Sequence, residues 1–228
     1  MTHIHYFPVG VGLATLFVVI LVGLLLLQGL LRRASSALGL DPRVATLVLF
    51  GSLLGSYVNL PLLRLPEERI VTQEVVEIMG VPFLAPVAVD WRGTILAINV
   101  GGAVIPILLS FYLLMRYDLW GSGALATAIV AFVVHRLATP VPGLGISVPT
   151  IAPPLLAAVV ALALSRRFAA PLAYIGGSLG VLIGADLLNL GLLRSLGAPV
   201  ASIGGAGTFD GIFLTGVIAV LLASLVAN

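Results

Sequence analysis

The chain of 228 residues has no cysteine and no lysine. Lacking cysteine, it forms no disulfide, offers no thiolate nucleophile and holds no metal through sulfur. Lacking lysine, it rests its positive charge on eleven arginines spread among connecting segments, so no basic patch for nucleic acid follows. Charge of either sign is scarce, 9% of residues against 60% hydrophobic, and mean hydropathy is +1.21. Several apolar runs reach the length of about 20 residues that crosses a bilayer core. Composition therefore predicts an all-α polytopic membrane protein, one integral membrane domain over 1–228. No cleavable signal peptide is expected, since Met1 to Pro8 has no basic n-region. Metalloprotease His-Glu-x-x-His, phosphate-loop, dinucleotide and serine-nucleophile motifs are missing too.

Seven runs are present, with six crossings as the alternative count. The first, Val9 to Leu31, ends in Arg32-Arg33. Asp41-Pro42 then reads as a helix start, with proline just inside the cap. The second run, Val44 to Leu63, carries Ser52, Ser56, Asn59 and Pro61, which predicts a polar, broken outer end. Between Arg64 and Gly93 the chain turns charged and β-branched. Ile70 to Ile78 reads as a strand and Val87 to Ile95 as a hairpin around Asp-Trp-Arg-Gly, together an extramembrane flap. The third run, Thr94 to Met115, contains Asn99, Gly101-Gly102 and Pro106, and its first residues can belong to the hairpin. The fourth, Leu119 to Leu137, ends near His135-Arg136, read as an interfacial pair with the arginine snorkelling outward. Five prolines between Thr139 and Pro154 forbid a continuous helix, and the lack of charge there predicts a re-entrant segment. The fifth run, Ile151 to Leu164, is stopped by Arg166-Arg167; the sixth and seventh are Ala169 to Leu193 and Ile203 to Ala227.

Grouping the Arg32/Arg33/Arg43, Arg116 and Arg166/Arg167 loops on the cytoplasmic side gives six arginines against five opposite. That orientation puts the N-terminus outside and the C-terminus in the cytoplasm, with the plasma membrane of a prokaryote as the expected location.

The last two runs each hold one acid, Asp186 and Asp210, at twelve residues to either side of Ala198. Two antiparallel helices leaving one loop would hold both at one depth, and an ionisable group in a membrane is by default a functional candidate. Asp186 shares a helical face with Asn189, while Gly176, Gly180 and Gly184 make a small-residue stripe suited to close helix packing. Gly207, Thr208 and Gly211 surround Asp210, and Asn59 and Asn99 are further candidate ligands for substrate or ion. The plainer alternative is that the aspartates accept from amides freed at helix breaks and that the asparagines stitch helices together. His3 and His5 make a poor metal site, and neither metal nor cofactor is expected. The expected partners are the bilayer, a membrane-embedded peptide or small solute, and a second copy of the chain.

Two resemblances attach to these residues. Ala201-Ser-Ile-Gly-Gly-Ala-Gly-Thr-Phe-Asp-Gly-Ile-Phe-Leu-Thr-Gly216, with Ile98-Asn-Val-Gly-Gly-Ala103, resembles an uncharacterised family of prokaryotic multi-spanning membrane proteins, domain of unknown function 1614. The resemblance covers most of the chain and implies no activity. Acids on consecutive helices, one in Gly-x-x-Asp, are also similar in geometry to intramembrane aspartyl proteases of the presenilin and signal-peptide-peptidase type. That likeness implies catalytic roles for Asp186 and Asp210. Phe209 stands where the signature has glycine, no Tyr-Asp sits at Asp186 and no Pro-Ala-Leu follows Asp210. Two functions are carried forward. One is a dyad hydrolase, with one carboxylate ionised and its partner protonated. The other is a proton- or cation-coupled carrier using the same acids with Asn59, Asn99 and Asn189.

Overall fold

The computed structural model describes residues 28–64, 66, 68–78, 81–91, 93–141, 145–196, 200–205 and 211–227. Its helices are α1 (Gln28–Ala37), α2 (Pro42–Gly55), α3 (Ile105–Tyr117), α4 (Trp120–Leu137), α5 (Ala152–Leu164), α6 (Ala169–Val181) and α7 (Gly211–Val226). Its strands are β1 (Asn59–Arg64), β2 (Glu68–Ile78), β3 (Val81–Trp91), β4 (Ile95–Asn99), β5 (Thr139–Val141), β6 (Gly145–Ser147) and β7 (Val200–Ile203). Among the described residues, three stretches are long and apolar enough to cross a membrane: Val100–Tyr117, Trp120–Leu137 and Ala169–Leu192. A fourth is reached if α1 and α2, bent by 113° at their junction, count as one broken span. The apolar α5 and α7 have only 13 and 16 residues. The described residues thus do not form the seven spans expected, and the first run lies outside them except for residues 28–31.

The α1–α2 junction follows its sequence signals. Gly39 takes the left-handed conformation after the last turn of α1, φ +64°, and Leu40 N donates to Ser35 O at 2.8 Å. Asp41 then caps α2 by accepting from Arg43 N at 2.8 Å, with Pro42 in the first turn. The Tyr117 hydroxyl donates to Leu38 O at 2.9 Å and the Tyr117 ring lies 5.7 Å from that of Phe168. Those contacts gather the α1–α2 elbow, the α3–α4 turn and the α5–α6 turn at one end of the bundle. Arg32, Arg33, Arg43, Arg116, Arg166 and Arg167 all belong to that end.

The centre of the bundle is α6, in which every residue except Leu179 is buried. A helix this apolar gains nothing from water-driven burial in lipid, so close van der Waals approach must hold it. The glycine stripe supplies that approach, and its partner is α4. A Cβ on Gly176 would lie 3.2 Å from Ala126 Cβ, one on Gly180 2.7 Å from Val130 Cβ, and one on Gly184 2.5 Å from Ala131 O. On another side, Gly177 approaches Ala157 of α5 and both Thr215 and Ala219 of α7.

The opposite end is not helical, which corrects the all-α expectation. A three-stranded sheet in the order β1-β4-β7 caps the bundle, with β4 antiparallel to β1 and parallel to β7. The second run therefore stops being helix at Gly55, and its last residues form an edge strand. Pro61 is tolerated there because an edge strand can spare a donor, and the ladder is irregular between Pro61 and Leu63. The third run opens as β4, passes through a π-turn over Val100–Val104 and only then becomes α3, with Pro106 in the first turn. The sixth run leaves α-geometry at Leu182, through a π-turn to Asp186 and a 3-10 stretch over Leu187–Leu196.

In the flap, β2 pairs antiparallel with β3 from Glu68↔Trp91 to Ile78↔Val81. The Asp-Trp-Arg-Gly segment instead joins β3 to β4, and Gly93 there has φ +91°. The proline-rich segment holds the small antiparallel hairpin β5–β6 before Pro153 and Pro154 enter the first turn of α5. This hairpin packs on the π-turn and the 3-10 stretch that follow α6.

Candidate functional site at the sheet end

Four backbone irregularities meet where the sheet joins the bundle: the end of α2, the π-turn before α3, the π-turn after α6, and the left-handed Gly204–Gly205 that follows β7. Close approach begins at Gly101. A side chain there would collide with the Ser52 carbonyl and the Ser56 amide, so only glycine lets α2 rest on this turn. The Ser52 hydroxyl then donates to Gly101 O at 2.5 Å. Gly204, with φ +91°, is the second such point, since a Cβ on it would lie 2.7 Å from Ala103 Cβ.

Asn99 organises the polar atoms. Its Oδ1 accepts from Gly102 N at 2.8 Å and so caps the π-turn, while its Nδ2 donates to Ser56 O at 2.7 Å and to Asn59 Oδ1 at 3.0 Å. Asn59 sits opposite Asn99 in the ladder and also accepts from the Ser202 hydroxyl at 2.5 Å. Asn99 is 1% exposed, whereas Asn59 is exposed. The two asparagines thus come together as a buried cap and its outer partner, linking all three strands.

Asp186 lies beside this cluster, half-buried, and its Oδ2 accepts from Gly204 N at 2.7 Å. Asn189 is buried, and its Nδ2 donates to Gly184 O and Ala185 O, both at 2.9 Å. Its amide therefore serves carbonyls of its own helix break and is not coupled to Asp186. Asp186 closes the π-turn and Asn189 lies three residues on in the 3-10 stretch, with each side chain engaged by backbone groups. Gly207, Thr208 and Asp210 lie outside the described residues, as does Ala198; Gly211 opens α7 and is exposed. Equal depth for the two acids assumed a helical hairpin, whereas the connection holds a 3-10 stretch, strand β7 and a left-handed turn. Among the described residues no group of three or more histidine, cysteine, aspartate or glutamate side chains could hold a metal ion.

Sequence reasoning missed Ser202 and Gly204 as site residues, although both lie in the glycine-rich tail stretch that carries the family resemblance. That stretch and Ile98–Ala103 are neighbours in space, with Ile98 opposite Ile203 and Gly204 against Gly102 and Ala103. The profile of one family, "Protein of unknown function (DUF1614)", matches residues 53–222, about three quarters of the chain. The chain belongs to the DUF1614 family. The matched range takes in the last residues of α2, both π-turns and Gly204–Gly205, while Ser52 lies just before it. No curated protein matches the chain, and no solved structure does. The likeness to intramembrane aspartyl proteases receives no support from these comparisons.

Proposed function

We propose that this DUF1614 protein is an integral membrane protein and a carrier that binds a proton or monovalent cation at Asp186, coupled to passage of a small polar solute. The observation that carries this reading is the junction itself, where the Asp186 carboxylate stands at a helix break against the backbone of a second discontinuous segment. In lipid, irregular backbone is stable only inside protein or along a wet cavity, and half-helix ends facing one another are how carriers build ion sites near the midplane. Among the described residues one carboxylate stands with amide, hydroxyl and carbonyl oxygens, a set that suits a singly charged ion better than a transition metal. Asn59, Asn99 and Ser202 supply the adjoining polar wall. Hydrolysis is the second reading. Gly204, which binds Asp186, stands six residues before Asp210 in the chain, so a dyad remains compatible with the connection.

The test is thermal unfolding of purified protein in detergent across Na+, K+, Li+ and pH series. A ligand at one hundred times its Kd stabilises by about 2.7 kcal/mol, and that increment should vanish in Asp186→Asn. Cation- and pH-independent unfolding of the wild type would overturn the carrier. Peptide cleavage by the reconstituted wild type, abolished in both Asp186→Asn and Asp210→Asn, would establish the dyad instead.

A further inference from the structure

At the arginine-rich end, far from the junction, the 113° elbow of α1 and α2 encloses a cavity of about 470 Å³. Its wall includes Gln28, Arg32, Ser35, Arg43, Thr46 and Leu47. Nearby polar groups leave both guanidinium groups unneutralised. The Ser35 hydroxyl donates to Arg32 O at 2.9 Å, and the Asp41 carboxylate is turned to the backbone amide of Arg43. Among the described residues neither arginine forms an ion pair. The same wall continues into apolar surface, with Leu47 72% exposed and Phe50, one turn further along α2, 56% exposed. Cationic forks above a greasy ramp are complementary to an amphiphile with an anionic head.

Two further observations set the level of this cavity. Trp120 and Tyr112 are exposed at the same end, Phe111 packs on Trp120, and Arg116 lies over the rings of Tyr112 and Tyr117. Such aromatic and arginine belts sit at the headgroup layer of a bilayer. The loops of that end also carry six arginines against Asp41 and Asp118, an excess that draws anionic lipid toward it.

We propose that the α1–α2 elbow binds one anionic phospholipid, its phosphate held between Arg32 and Arg43 and one acyl chain laid along Leu47 and Phe50. Arginine presents paired donors to phosphate oxygens, so two arginines on one cavity wall favour a headgroup of net negative charge over a zwitterionic one.

The experiment is native mass spectrometry of the full chain released from nanodiscs that contain equal phosphatidylglycerol and phosphatidylcholine. The wild type should retain one phosphatidylglycerol. Retention should fall more than about tenfold in Arg32→Gln/Arg43→Gln, through loss of two charge-assisted contacts to the phosphate. It should persist in Arg166→Gln/Arg167→Gln, which removes equal charge from the same end. Equal loss in both double variants would mean diffuse surface attraction and would overturn the site. Equal retention of phosphatidylcholine by the wild type, a measurement independent of any variant's folding, would overturn it as well. So would glycerol phosphate displacing the lipid at matched concentration, because a free anion would then suffice.

Discussion

Asn99 shows how much one side chain can fix when it is buried at a change of backbone geometry. Its amide satisfies a donor at the start of the π-turn and an acceptor at the end of α2, and reaches Asn59 across the ladder. Replacing it by alanine leaves Ser56 O and Gly102 N without those partners at a position only 1% exposed. An orphaned buried polar group costs about 1–3 kcal/mol, so Asn99→Ala should lower unfolding free energy by roughly 3 kcal/mol, read by thermal unfolding in detergent. Asn99→Asp separates the two roles. It keeps an acceptor for Gly102 N but sets a carboxylate oxygen against Ser56 O and Asn59 Oδ1, and should destabilise at least as much as alanine at neutral pH. If Asn99→Asp were as stable as the wild type, the donor half of the account would fail.

At the scale of elements, the α4–α6 contact turns on what each glycine of the stripe faces. A methyl on Gly176 meets a methyl at 3.2 Å and one on Gly180 meets the Val130 side chain, whereas one on Gly184 meets the Ala131 carbonyl and Cα at 2.5 and 3.0 Å. Side chains yield more readily than backbone, and overpacking a tight contact costs about 1–3 kcal/mol. Alanine substitutions should therefore rank Gly184 worst, Gly180 next and Gly176 mildest, as measured by the midpoint of thermal aggregation; a flat series would mean that α6 shifts as a body. This stripe was legible in the sequence because glycine at a four-residue spacing has one geometric consequence on a helix. The elbow was legible for the same kind of reason, Asp41-Pro42 being a local signal. The strand over Ile70 to Ile78 was legible and falls within β2, whereas β1 and β7 were not, being short apolar pieces continuous with helical runs, which periodicity alone cannot separate from buried helix. Asp186 stood out as a lone charge in an apolar run, and its partner, the amide of Gly204, is of the kind the plainer alternative named, although no side-chain pattern picks out which amide. Asp186 and Asn189, read from the sequence as a polar couple on one face, each bond a backbone group, Asp186 the amide of Gly204 and Asn189 the carbonyls of Gly184 and Ala185.

Across the whole molecule the two ends differ in both chemistry and backbone. One is built of helix turns, aromatic rings and six arginines, the other of strands and the Asn59–Asn99–Ser202 cluster. Arginine retained near span ends favours the cytoplasmic face, and the six arginines of the elbow end against five elsewhere predict an elbow inside and a sheet outside. The assignment can be tested cleanly because the chain has no cysteine of its own. Ser36 lies in the elbow, exposed, and Tyr57 lies exposed between α2 and β1. A membrane-impermeant maleimide added to intact cells should label Tyr57→Cys and spare Ser36→Cys, and inverted vesicles should reverse the pattern. Helix α2 separates the two positions by 14 residues, a rise of about 21 Å, less than the roughly 30 Å of a hydrocarbon core. If α2 crosses, the bilayer must thin around it or the sheet end must dip below the headgroups, and the second alternative makes Tyr57→Cys react more slowly than a cysteine placed in bulk water. Labelling of both positions from one side would instead make the α1–α2 pair a re-entrant element, and the sheet and the arginine end would then not be separated by a bilayer.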